Sequence, residues 1–130
     1  MRYVDVNVIV YWLGDHPEHG EVATRIMERI EGSEKAVTSS LTPWLVSVVL
    51  KREAESFDER VLMERLAEIR NLKIAPLRMS TYQKAAELMS RYQLDLEDSI
   101  HLATALEYNA EAIYSNDSDF DRCPLKRVFE

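Results

Sequence analysis

Tyr3-Val4-Asp5-Val6-Asn7-Val8-Ile9-Val10 decides how this 130-residue chain folds. The first four residues are short, β-branched or aromatic, and predict a strand. Asn7 then caps a short helix over Val8 to Leu13, stopped at Gly14. Strand followed by helix is the pattern that recurs outward from this point. Asp15-His16-Pro17-Glu18 reads as a second helix start, with an acid at the cap and Pro in the first turn. Val22, Ala23, Ile26, Met27 and Ile30 continue it at helical spacing to Gly32. Lys35 to Thr38 predicts the next strand. Thr42-Pro43 opens a helix to about Glu55, and Asp58 to Arg70 forms another, with Val61, Leu62, Leu66 and Ile69 inward. Lys73 to Leu77 is a weak strand. Ser80-Thr81-Tyr82-Gln83 has capping-box form and starts a helix to about Tyr92. Asp95 opens the last helix, through Ala105 to about Asn109. Ala112 to Ser115 and Lys126 to Phe129 are strands. Such alternation predicts a parallel sheet with helices on both faces.

Composition fits that reading. The chain is 46% hydrophobic and 30% charged, enough apolar material to offset the ordering entropy of one core. No repeat, low-complexity segment or Pro/Gly-rich linker divides it, so residues 1–130 are read as one domain. A single cysteine excludes an internal disulfide framework and a multi-cysteine zinc site. No apolar run approaches the roughly 18 residues of a membrane span, and Asp5 interrupts any signal-like N-terminus. A cytoplasmic protein with no membrane partner is the expectation. The net charge of -7 argues against a simple electrostatic coat for nucleic acid. It leaves room for a nuclease, whose metal site itself needs acids.

In a doubly wound sheet, chemistry lies beyond the carboxyl ends of the strands. Asp5 ends the first predicted strand, and Asp117 and Asp119 follow the fourth. A third acidic segment, Asp95-x-Glu97-Asp98, opens a helix. Two unit charges about 4 Å apart repel by roughly 4 kcal/mol at an effective dielectric near 20. Convergence of Asp5, Asp98 and Asp117 therefore calls for a cation or a protonated acid. Oxygen donors without Cys or His favour Mg²⁺ or Mn²⁺ over zinc. Each acid also has a plainer reading. Asp98 occupies N3 of a helix capped by Asp95, and Asp117 and Asp119 suit Asx-turns. His101, one turn after Asp98, is either a partner of the acids or an ordinary helix histidine. Lys51, Arg52, Arg122, Lys126 and Arg127 are the bases best placed for an RNA backbone, or plain solvated charge.

Tyr3-Val4-Asp5-Val6-Asn7, Thr38-Ser39-Ser40-Leu41-Thr42, Leu96-Glu97-Asp98-Ser99-Ile100-His101-Leu102-Ala103-Thr104-Ala105 and Ser115-Asn116-Asp117-Ser118-Asp119-Phe120-Asp121, in that order, resemble a PIN domain. The resemblance spans essentially the whole chain and is to the compact type found in VapC-like toxins. It implies a three-layer α/β/α fold, Rossmann-like, with a central parallel sheet of about five strands in the order 3-2-1-4-5. It implies a Mg²⁺- or Mn²⁺-dependent ribonuclease, with Asp5, Asp98 and Asp117 as catalytic and metal-binding acids. Asp119 matches a further metal-binding acid of the last motif, and Asn7 the polar residue that supports the first. Glu97 and Ser115 are taken as supporting residues. RNA, a cognate antitoxin protein and a second copy of the chain, as a homodimer, are the partners it implies.

One position departs from the family pattern Thr-Ser-x-Leu-Thr-x-x-Glu: the acid is replaced by Leu45. Glu53 lies eight residues on, about 12 Å along the helix and about 80° around it, so it is not expected to replace the missing group. Glu97 is nearer but is expected to point elsewhere on its helix. Two functions follow. One is a metal-dependent endoribonuclease, as the toxin of a toxin–antitoxin pair. The other is a degenerate PIN module that binds RNA or a protein without cutting. A haloacid dehalogenase-type phosphatase would need Asp where Asn7 stands, and the acid pair of a receiver domain is missing.

Overall fold

The computed structural model describes residues 1–54 and 57–130. Its five strands are β1 (Arg2–Val4), β2 (Ala36–Ser39), β3 (Leu72–Ala75), β4 (Ala112–Tyr114) and β5 (Lys126–Val128). All neighbours pair parallel, in the order β3-β2-β1-β4-β5. The helices among the described residues are α1 (Val6–Leu13), α2 (Gly20–Gly32), α3 (Thr42–Glu53), α4 (Glu59–Ala67), α5 (Met79–Tyr92) and α6 (Leu96–Glu107). A short 3₁₀ helix, Ser118–Arg122, precedes β5. None of these helices is long and apolar enough to cross a membrane.

Period-two alternation in the strands sorts the core into two layers. Val4, Ala36, Tyr114 and Val128 face one way, onto Val8 and Ile9 of α1, Ile26, Met27 and Ile30 of α2, Val46 of α3, and Leu62 and Leu66 of α4. Tyr3, Val37, Ala75 and Ile113 face the other way, onto Ala85 and Leu88 of α5 and Ile100, Leu102 and Ala103 of α6. This is the three-layer α/β/α arrangement expected. β1 lies at the centre of the sheet, with Tyr3 opposite both Val37 and Ile113. The order reverses between β1 and β4, and a crevice therefore opens at their carboxyl ends.

Three local expectations are corrected. Asp5, not Asn7, caps α1: its Oδ1 accepts the Val6 N–H at 2.8 Å, and the helix starts two residues early. That frees the Asn7 side chain to reach across to β4. Second, α2 starts at Gly20, because residues 15–19 form a separate turn. Asp15 there has φ 47°, and His16 Nδ1 accepts the N–H groups of Glu18 and His19, both at 3.1 Å. Third, Val61 faces solvent, whereas Leu62, Leu66 and Ile69 are buried as expected. The expected helix end at Glu55 lies outside the described residues; α3 is described to Glu53.

Candidate metal centre

Asp5 follows β1 directly and is almost fully buried. Its two oxygens are used differently. Oδ1 takes the helix-capping bond from Val6, and Oδ2 accepts the Ser115 hydroxyl at 2.6 Å. Ser115 stands just past β4, and its oxygen also accepts the Asp117 N–H at 3.0 Å. One buried hydroxyl therefore ties the ends of the two central strands together. Asn7 supports the same junction: its Nδ2 reaches Ser115 Oγ at 3.5 Å, and its Oδ1 accepts the Asn116 N–H at 3.4 Å.

Asp98 arrives on α6. Asp95 caps that helix by accepting the Asp98 N–H at 2.8 Å, which fixes Asp98 at N3. Its side chain is turned inward, unlike most N3 acids. Burial, followed by the charges of Asp95, Asp117, Asp5 and Glu97, pushes its carboxyl up to about 7. Asp117 caps the 3₁₀ helix, its Oδ1 accepting the Asp119 N–H at 2.9 Å. The Asx-turn expectation is met at Asp117, and that turn places Asp117 and Asp119 side by side. One oxygen from each of Asp98, Asp117 and Asp119 lies within 4.8 Å of the others.

Asp5, Asp98 and Asp117 line one cleft of about 360 Å³, with Asn7 at its wall. Glu97 also lines it, despite the expectation that it points away. α3 contributes Val49 and Glu53 to this cleft. Leu45 is half-buried and is not among the lining residues. Glu53, not expected to stand in for the missing acid, thus borders the cleft, because it is the later part of α3 that reaches it. Tyr11 and His16 complete the wall. Sequence reasoning missed both, since it placed His16 inside a helix start.

His101 is buried one turn beyond Asp98. Its Nδ1 lies 2.5 Å from the Tyr3 hydroxyl, and its Nε2 lies 3.9 Å from Asp5 Oδ1. The Thr-Ser motif backs this layer: Ser39 N–H donates to Tyr3 Oη at 3.1 Å, and Thr38 Oγ1 donates to the Val4 carbonyl at 2.7 Å. Several of the bases considered for RNA are engaged. Lys51 pairs with Glu59 at 3.0 Å, Arg127 with Asp121 at 2.8 Å and Arg122 with Asp119 at 3.4 Å.

Chemically, the arrangement offers clustered hard oxygens, one carboxyl that resists ionising alone, and hydrogen bonds that hold the rest in place. Those donors suit a divalent cation of the Mg²⁺ or Mn²⁺ kind, which would relieve the crowding.

Comparison with known proteins agrees with this fold. Among curated proteins, none matches the chain in sequence. Solved structures match in fold. A toxin–antitoxin complex from Klebsiella pneumoniae superposes with TM-score 0.77 at 20% identity, covering 98% of this chain and 96% of that one. VapC20 of Mycobacterium tuberculosis, described as a Sarcin-Ricin loop cleaving toxin, gives 0.81 at 15% identity, with 100% of both chains covered. VapBC2 of Rickettsia felis, solved with a DNA fragment from its promoter, gives 0.66 at 20% identity and 98% coverage of each chain. The family model described as PIN domain matches residues 2–125. With its strand order, its layers and this match over nearly all its length, the chain belongs to the PIN domain family, and its fold is the VapC-like one.

Proposed function

We propose that this protein is a divalent-metal-dependent endoribonuclease, acting as a single domain and as the toxin of a toxin–antitoxin pair. The observation that carries the reading is the convergence of Asp98, Asp117 and Asp119 oxygens within 4.8 Å, beside buried Asp5, where the strand order reverses. Asp5, Asp98, Asp117 and Asp119 would hold Mg²⁺ or Mn²⁺. The bound cation supplies Lewis acidity toward a phosphodiester and a more acidic water. The chain's own residues do the rest. Ser115 and Asn7 fix the spacing of Asp5 and Asp117. Glu97 and Glu53 stand at the cleft wall and keep negative charge around the cation. RNA, single-stranded or structured, is the expected substrate. A cognate antitoxin is an expected protein partner, in line with a structural neighbour solved as a toxin–antitoxin complex; a second copy of the chain is the other.

A second reading is favoured by Leu45, which removes one acid of the family pattern. It makes the chain a PIN module that binds RNA or a protein without cutting. One assay separates the two: cleavage of a single-stranded RNA in Mg²⁺ or Mn²⁺, beside an EDTA control and Asp5→Asn. Cleavage by the parent alone, lost with EDTA, supports the nuclease. RNA retention without cleavage supports the binding module.

A further inference from the structure

The buried contact between Tyr3 and His101 carries more than packing. Both side chains are fully or almost fully buried, and they meet from β1 and α6 behind Asp5. Among the described residues, His101 Nε2 has no hydrogen-bond partner, although it is buried. It is 3.9 Å from Asp5 Oδ1, beyond a hydrogen bond but close to that carboxylate.

The geometry decides where the imidazole proton lies. Tyr3 Oη and His101 Nδ1 are 2.5 Å apart, so a hydrogen sits between them. Tyr3 Oη already accepts the Ser39 N–H. His101 Nδ1 makes the shortest hydrogen-bond contact with the phenol; the Thr38 and Thr42 hydroxyls also stand near it, Thr38 already donating to the Val4 carbonyl. The phenol therefore donates, Nδ1 accepts, and the ring proton of the neutral histidine is on Nε2. The opposite tautomer would deny the phenol proton its shortest contact and turn a lone pair toward the Asp5 carboxylate. Both consequences are costly in a buried layer.

We propose that Tyr3 and His101 are positioning residues for Asp5. Tyr3 holds His101 as the Nε2–H tautomer, and that N–H sets the orientation in which Asp5 meets a divalent cation. The inference rests on the metal-site reading of the cleft. To the hydrogen bonds that Asp5 receives from Val6 and Ser115 it adds a third N–H, 3.9 Å away, acting as a nearby dipole rather than as a hydrogen bond. Carboxylates that bind metals depend on such outer partners, whose loss typically weakens binding about 10–100-fold.

The test uses the full chain and four proteins: parent, Tyr3→Phe, His101→Leu and His101→Gln. Histidine ring-nitrogen NMR without metal reads the tautomer, calorimetric titration with Mn²⁺ reads affinity, and thermal melting controls for folding. The expected result is Nε2–H at His101 in the parent and loss of that single tautomer in Tyr3→Phe. Mn²⁺ binding should weaken about tenfold in Tyr3→Phe and His101→Leu. His101→Gln, whose amide N–H reaches close to the Nε2 position, should recover most of the affinity. Should His101→Leu fail to fold, Tyr3→Phe, which removes one oxygen, carries the comparison. An Nδ1–H tautomer in the parent, or equal Mn²⁺ affinity in parent and Tyr3→Phe, overturns the positioning role and leaves the metal site standing. A parent that binds no Mn²⁺ overturns the metal reading itself, and the positioning role with it.

Discussion

Ser115 Oγ donates to Asp5 Oδ2 across 2.6 Å, while the same oxygen receives the Asp117 N–H at 3.0 Å. A hydroxyl has one proton to give and lone pairs to accept with, so this single atom fixes the distance between two acids 112 positions apart in the chain.

Ser115→Ala removes both contacts and leaves a buried carboxylate oxygen without its donor. Stability should fall by about 1–3 kcal/mol, measured by denaturant unfolding. Mn²⁺ affinity should fall at least tenfold or so, because Asp5 and Asp117 lose their common anchor. Unchanged Mn²⁺ titration in this variant would show that the junction is structural only.

Asp98 gives a pH dependence of known sign. Its folded carboxyl is raised to about 7, above its unfolded value near 3.8. The folded state therefore binds the proton more tightly, and stability from this group is full below the unfolded value. It is lost as pH rises through about 4 to 7. In EDTA, Asp98→Asn should match the parent near pH 4 and exceed it by about 1–3 kcal/mol near pH 8. Saturating Mn²⁺ should raise the melting temperature of the parent at pH 8 and not that of Asp98→Asn. Melting curves at the two pH values check both parts.

Leu45→Glu tests the departure from the family pattern. On sequence grounds, a Glu there would complete a capping box with Thr42 and restore an acid to the site. The structure keeps position 45 off the cleft lining and gives it to Val49 and Glu53. Mn²⁺ affinity in Leu45→Glu should therefore stay within about threefold of the parent. Glu53→Gln should weaken Mn²⁺ binding modestly and selectively at low salt, as loss of a nearby charge does. A large gain in Leu45→Glu would show that the side chain reaches the acids after all.

Phe120 couples core to site. It is fully buried in the 3₁₀ turn between Asp119 and β5, against the α5–α6 layer. Phe120→Ala should cost about 3–5 kcal/mol. Because Asp117 and Asp119 share its turn, Mn²⁺ affinity should fall even in the cold, where the variant is still folded. Circular dichroism melts beside Mn²⁺ titration at low temperature separate the two effects.

Much of the fold was legible in the residues. β-branched residues at Val4, Val37 and Ile113, each followed within two positions by a polar residue, marked short buried strands, and the apolar spacing of Ile26, Met27 and Ile30 marked α2. The acids were legible as candidates for the same reason: Asp5, Asp98 and Asp117 fall just beyond strands or at a helix start, where side chains can converge. Less legible were caps and turns. Asp5 and Asn7 are both good caps, and local preference does not choose between them. The pull of Ser115 on Asp5 and of Asn116 on Asn7 comes from β4, more than a hundred residues away.

Composition and pattern by themselves determined the layers, the alternation and which acids are candidates, because burial and periodicity are written residue by residue. Tertiary structure alone decided which groups share the cleft. It brought in Glu53 and His16, left Leu45 aside, and seated His101 between Tyr3 and Asp5. Those outcomes depend on how α3 and α6 cross the sheet. A rotation of a helix by one residue turns a different side chain toward the site, at little cost to the hydrophobic pattern that specifies the helix.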